Sequence, residues 1–514
     1  MIDSNPLDND PFVEFEDWHK DNFPGKDFPT YDIERQNLSY RRLVQFNASL
    51  LNNREEWQRK MARFEAALAT LGEQDAVEAC RSKYEIHLEG ANLFQLDNDY
   101  SGYVFPCSVH FDGAKFGANV RFDGAEFRGP RATFDAVKMP GGLFSFINVS
   151  FSNGFLSFEA TDFGNSEVYF VDAHIPFVIF DRAKFSGTEV SFFRTKFDGV
   201  EASFRNIEIS RSDVVFDDCV TGELNFVFEP KGRVGGSVSF AGADFSKAEV
   251  KCSGLHVGGN FFCSRSLMRR ANFWSMRVDG IASFVDTRFG SIPDFRHTKL
   301  DRSPEVARME VPEPSITAFR SEDVQRPLDQ LKAGARLFTL ALDPDDVHRL
   351  RKLKSMAIAA NDHEKDGEFF AFEMMAKRGV EHTTLWQLLF NTIYWKVSFY
   401  GQSYLRPLGW LGASFATFAA IYSLMAALPI GGWQSLAFGI TYSFKNSLPF
   451  LGTLTRSVPS PEGHVSWFAL QLQAIKEAQP GPDWFTVLGT GQAMLSLFFF
   501  FFLLLGLRNK FRLK

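Results

Sequence analysis

At 514 residues the chain is too long to fold around a single core, so two or more domains are expected. A formal net charge of -7 offers no basic face for nucleic acid, and five cysteines, odd in number and without a C-x-x-C pair, exclude a disulfide framework and a zinc knuckle. The outlier is phenylalanine, at 58 residues, gathered in the middle of the chain and again near its C-terminal end.

Residues 1–38 are acidic and aromatic and read as an extended arm, either loosely ordered or docked on a partner. They lack the charged-then-apolar pattern of a secretory signal, so this end of the chain is expected in the cytoplasm. In segment 39–90, Leu43, Phe46, Leu50, Trp57, Met61, Phe64 and Leu68 fall mostly three, four or seven apart. That stripe predicts an amphipathic helix or helical hairpin, which either caps the domain beyond residue 90 or pairs with another subunit.

From 91 to 302 a different period takes over. In FDGAKFGANVRFDGAEFRGPRATF, phenylalanine stands at 111, 116, 122, 127 and 134. A helix would bury one face every 3.6 residues and a strand every 2, so neither can hide this row. A coiled chain can, if each short side contributes one inward residue and equivalent positions stack from coil to coil at the strand spacing. A narrow coil has room for one large and one small side chain per side, which explains Ala114 before Phe116, Ala125 before Phe127 and Ala183 before Phe185. The intervening Asp, Lys, Glu and Arg are expected to face water.

These motifs, FDGAKF, FDGAEF, FDRAKF and FAGADF, resemble the pentapeptide-repeat family in its phenylalanine-rich variant. The resemblance covers about two-fifths of the chain and implies a right-handed quadrilateral β-helix with the Phe and the small residue two before it pointing inward. The spacing departs from a strict five, alternating with six or seven, so some corners are expected to bulge, and segments 228–238 and 252–273 to hold insertions. About 22 residues per coil predicts a rod on the order of 40 Å long. Some soluble members of that family mimic DNA, which requires a strongly acidic surface. Residues 101–300 carry 23 Asp plus Glu against 22 Lys plus Arg, so no nucleic-acid role is expected.

Pro304, Pro312 and Pro314 place the end of the solenoid near Leu300 and open a linker over 303–345. Segment 346–404 predicts two helical stretches, stopped by Gly379, and then an aromatic amphipathic helix over Trp386–Tyr400 of the kind that lies in a membrane interface. His348, His363, Glu364, Asp366 and Glu368 fall on a charged face, and no metal site is expected there.

The C-terminal domain, 405–514, contains two uncharged stretches, 408–428 and 486–507. At 1.5 Å per residue each spans the roughly 30 Å hydrocarbon layer. Lys396 and Arg406 precede the first, and Arg508, Lys510, Arg512 and Lys514 follow the second. The positive-inside rule then puts both chain ends, and the solenoid, on the cytoplasmic side of the inner (plasma) membrane. Between the spans, 433–453 is apolar but interrupted by Lys445, Asn446 and Pro449. It reads either as an amphipathic helix on the outer leaflet or as a re-entrant half-helix followed by a turn. The order span, short apolar half-helix, turn, span resembles the two-helix pore module of tetrameric cation channels. No TVGYG-type filter is present, so potassium selectivity is not implied.

The expected architecture is therefore mixed: a quadrilateral β-helix with flanking α-helices and a two-helix transmembrane domain. Two functions compete. One is a homo-oligomeric ion channel, fourfold by the resemblance, with a pore turn at Asn446, Leu448, Pro449, Phe450, Leu451 and Gly452, pore-lining Thr490, Gln492 and Ser496, and a phenylalanine constriction at 498–502. The other is a scaffold tethered to the lipid bilayer, whose solenoid binds a cytoplasmic partner. No P-loop, nucleophile elbow, H-E-x-x-H or Rossmann glycine pattern occurs, so neither catalysis nor a cofactor is expected.

Overall fold

A computed structural model describes residues 38–69, 74–94, 98–152, 154–318, 338–448 and 484–511. The chain divides into two compact units, Met1–Glu313 with Ser355–Asp362, and Pro314–Lys354 with His363–Lys514.

The first unit is a β-solenoid of about nine coils. Short strands pair in parallel with the equivalent strand one coil on, 21 to 24 residues away. One ladder runs through Ile86, Val109, Ala132, Leu156, Val178, Ala202, Phe226 and Val250. A second passes through Lys115, Lys138, Asp162 and Lys184, a third through Val120, Phe144, Val168, Val190 and Val214, and a fourth through Phe105, Phe127 and Phe151. Four ladders per circuit make each coil four-sided.

Its core is built on stacked columns of phenylalanine, two of them long. Phe111, Phe134, Phe158, Phe180 and Phe204 stack with ring centroids 4.7, 5.0, 4.8 and 5.1 Å apart. Phe122, Phe146, Phe170, Phe192, Phe216 and Phe240 stack at 4.8 to 5.1 Å. The strand spacing sets both intervals, because each ring hangs from the same position of successive coils. Between columns the rings meet edge to face, as Phe122 does with Phe134 at 5.6 Å and 80°. The aromatic quadrupole favours both arrangements.

The charged residues between the phenylalanines do more than face water. At several corners an aspartate accepts from the coil above: Asp112 Oδ1 from the Asp135 N–H at 2.9 Å, Asp135 Oδ1 from Glu159 at 2.7 Å, Asp181 Oδ1 from Arg205 at 2.9 Å, and Asp217 Oδ1 from Ala241 at 2.8 Å. Segments 228–238 and 252–273, expected to hold insertions, keep the coil pitch, since Val238 pairs with Phe261 and Phe261 with Ala282. Their irregularity is one of side chain: Cys252, Leu255 and Cys263 fill inward positions. The register shifts instead at a corner, between Phe245 and Glu249. The ladders also run past Leu300, through bridges at Glu305 and Glu310, with Val306 and Met309 buried.

Helices α1 (Leu38–Asn52) and α2 (Arg54–Ala69) form the hairpin, with α3 (Gln74–Lys83) after them. They pack on the first coil as a cap. Carbonyls of that coil have no preceding coil to pair with, and the cap supplies donors: Asn47 to His87, Arg54 to Ser101, Trp57 Nε1–H to Val104 (3.2 Å) and Arg81 to Pro106. Trp57, fully buried, lies against Tyr103 and Phe105. An open solenoid edge invites pairing with another chain, and the cap removes it.

The second unit pairs strand Ile316–Ala318 antiparallel with Thr339–Ala341. Helix α4 (Asp346–Ala359) begins in this unit and ends in the first; α5 (His363–Ala376), α6 (Leu385–Ser398), α7 (Leu405–Ile430), α8 (Gly432–Ser447) and α9 (Trp484–Phe511) belong to the second. Two of them, α7 and α9, are long and apolar enough to cross a membrane, and little of either is buried within the chain.

Candidate functional site

Helices α7 and α9 run antiparallel along their whole length. Phe485 meets Tyr422 at one end, Phe499 stacks on Trp410 further down, and Gly506 lies against the backbone of Ser403 and Tyr404, where an added Cβ would stand 3.0 Å from both. Asn509 Nδ2 closes that end by donating to the Gly401 carbonyl at 3.0 Å.

Helix α8 folds back from a turn at Gly431 and Gly432, both with positive φ, and runs down the side of α7. Tyr442 meets Tyr422 edge to face at 4.8 Å, and Ser443 donates to the Phe415 carbonyl at 2.8 Å. Close approach is possible because Gly439 has no side chain: a Cβ there would lie 2.5 Å from the Ala419 carbonyl oxygen and 2.7 Å from the Ser423 nitrogen. Small residues drive helix association of this kind where water is absent. Ser443 is thus level with Phe415, ten residues or roughly 15 Å from the start of α7, and α8 ends one turn further on, at Ser447, still short of that start.

Polar groups meet where the three helices converge. Gln492, fully buried on α9, donates through Nε2 to the Ser443 carbonyl (3.1 Å), Ser443 Oγ (2.7 Å) and Ser447 Oγ (3.0 Å). Its Oε1, the Ser496 hydroxyl one turn on and the Ser414 hydroxyl on α7 are buried without a partner among the described residues. Asn446 turns its amide nitrogen toward the gap left by Gly489, whose added Cβ would stand 3.0 Å from it. Of the residues that the sequence marks as pore candidates, Asn446, Gln492 and Ser496 therefore sit inside this packing. Thr490 is exposed on the opposite side of α9, its hydroxyl bonded to the Thr486 carbonyl. Leu448 caps α8, and Pro449, Phe450, Leu451 and Gly452 lie outside the described residues. The phenylalanine block divides: Phe499 faces Trp410, Phe502 faces Tyr394, and Phe498 and Phe501 are exposed. Ser443 and Ser447, the partners of Gln492, are not among the sequence candidates, although their spacing of four on one helix is the available signal.

A second polar centre lies where α6 meets the start of α7, and no sequence motif announces it. Arg378 is fully buried. Among the described residues no carboxylate pairs with it. Its Nε donates to Asn391 Oδ1 at 2.7 Å, Nη1 to Thr339 Oγ1 at 2.9 Å and Nη2 to the Tyr400 hydroxyl at 2.9 Å, and the guanidinium lies 4.6 Å from the Trp395 ring. Tyr400 donates in turn to Asn391 Oδ1 at 2.6 Å, and Asn391 Nδ2 donates to the Met374 carbonyl and to His382 Nδ1. Burial pushes the Tyr400 hydroxyl up to about 12 against the pull of Arg378, so it stays protonated and can donate. Phe399, Tyr400 and Gly401 all have positive φ, a run that turns the chain sharply from α6 into α7. One guanidinium therefore ties together the strand pair, the end of α5, helix α6 and the entry to α7.

Compared with protein-family models, with curated proteins and with solved structures, the chain matches none.

Proposed function

We propose that the protein is a homo-oligomeric ion channel whose cytoplasmic solenoid serves as a sensor or assembly domain. The observation that carries this reading is the path of α8, which turns back beside α7 and ends within its length. A helix resting on an outer leaflet would instead lie across the ends of α7 and α9. In this reading α7 and α9 cross the bilayer, both chain ends are cytoplasmic, and the carbonyl end of α8 lies within the depth of the membrane. Gln492 braces the half-helix through Ser443 and Ser447, and the exposed side of α9 that carries Thr490 is the one that would line a lumen. No catalysis or cofactor enters this reading.

Planar-bilayer recording of purified protein tests it. Discrete conductance steps are expected, and they should vanish when 432–483 is replaced by a short flexible linker. Silence across voltage, membrane tension and ionic conditions, with the linker variant behaving like the parent in cells, would leave the two long helices as a mere tether.

A further inference from the structure

We infer that the second unit holds a binding site for one acyl chain of a membrane phospholipid, between α6 and the inner half of α9. The inference rests on the reading of α9 as a span. A pocket of about 570 Å³ lies there, walled by Phe390, Ile393 and Tyr394 of α6 and by Phe498, Phe501 and Leu505 of α9. That size is typical of small-ligand sites. Its surface is almost wholly apolar, with Asn391, His382 and Gln387 as the polar side chains in its lining.

Depth identifies the occupant. Leu505 and Phe498 stand three and ten residues before Arg508, which places the α9 wall roughly 5 to 15 Å from the basic end of the helix. Those distances match the acyl region of the cytoplasmic leaflet, not its headgroups. The pocket opens beside Phe390, Phe498 and Phe501, which are 65%, 41% and 60% exposed, so its mouth is continuous with the face that lipid covers. Lys396, Arg406, Arg508 and Lys510 lie at the same end of the bundle and favour an anionic headgroup above the tail. Asn391 asks for nothing from a ligand, since its amide already bonds Arg378, Tyr400, Met374 and His382. A hydrocarbon tail completes the pocket and presses on the residue that organises the Arg378 centre, so occupancy and the geometry of the α6–α7 turn are linked.

The test is native mass spectrometry of the full chain, extracted from membranes in mild detergent, beside its Ile393→Trp variant, in which the larger side chain fills the pocket. The parent is expected to retain about one phospholipid per chain, anionic in preference to zwitterionic. The variant should retain at least fivefold less at an unchanged melting temperature. Leu505→Trp fills the pocket from the α9 wall and replaces Ile393→Trp if that variant does not fold. Equal retention in parent and filled variant overturns the proposal, as does retention of free fatty acid alone. A chain that needs no detergent for extraction would instead overturn the membrane reading beneath it.

Discussion

A left-handed residue recurs at the corners of the solenoid, and it explains both the glycines of the repeat and their absence. Gly113 and Gly124 have φ of 63° and 66°, and Ala136, Asn148, Ala160, Arg194 and Asn206 take φ of 54° to 55° at equivalent corners. That region costs an L-residue roughly 1–2 kcal/mol. Gly113→Ala is therefore expected to destabilise the solenoid by about 1 kcal/mol through conformation alone, because nothing stands within 4 Å of the added carbon. Ala160→Gly should do the reverse, gaining roughly 0.5–1 kcal/mol after the entropy of a freer unfolded chain is subtracted. Denaturant unfolding followed by far-ultraviolet dichroism measures both. The phenylalanine columns set a larger scale: Phe158 has a stacked ring above and below, and Phe158→Ala should cost about 3–5 kcal/mol in the same assay. The inward Phe and Ala are legible in the sequence because every coil repeats the same environment. The corner aspartates are not, since their acceptor role depends on a neighbour some 23 residues away in the chain.

Among the elements, legibility falls where packing rather than period decides. The long apolar helices announce themselves by length and composition, whereas the packing of α8 along α7, through Gly439 and Ser443, has no signal in the sequence. Arg378 sits beside Lys377 in a stretch of ordinary charge, and only the fold makes one buried and the other an ion-pair partner of Glu373. Tyr400→Phe removes the acceptor of one charge-assisted bond and is expected to cost about 2 kcal/mol in thermal unfolding of the detergent-solubilised chain. The start of α4 carries a pH response. Burial, with the charge of Asp343 adding to it and Arg349 opposing, pushes the Asp346 carboxyl from its ordinary 3.8 up to about 6. The folded state then binds the extra proton, so this contribution to stability grows as pH falls from above 6 toward 4 and is lost as pH rises through 6. Melting temperature should rise between pH 7 and pH 5, and Asp346→Asn should flatten that slope while raising the value at pH 7.

For the whole molecule, the decisive quantity is the side of the membrane on which each unit stands, and the distribution of thiols makes it measurable. Cys107, Cys219, Cys252 and Cys263 are buried in the solenoid, and burial pushes the Cys263 thiol up to about 12, so these groups stay inert to maleimide. With Cys80 replaced by Ser, a single reactive thiol can be introduced where exposure is high: Trp433→Cys, 76% exposed beside the turn between α7 and α8, or Val200→Cys, 69% exposed on the solenoid. The basic residues before α7 and after α9 predict opposite outcomes for the two. In intact cells a membrane-impermeant maleimide should label Trp433→Cys and spare Val200→Cys, and permeabilisation should make both react. Labelling of Val200→Cys in intact cells would invert the orientation and move the α7–α8 turn into the cytoplasm. Equal labelling of both without permeabilisation would mean that α7 and α9 do not separate two compartments, and the channel reading would fall with them.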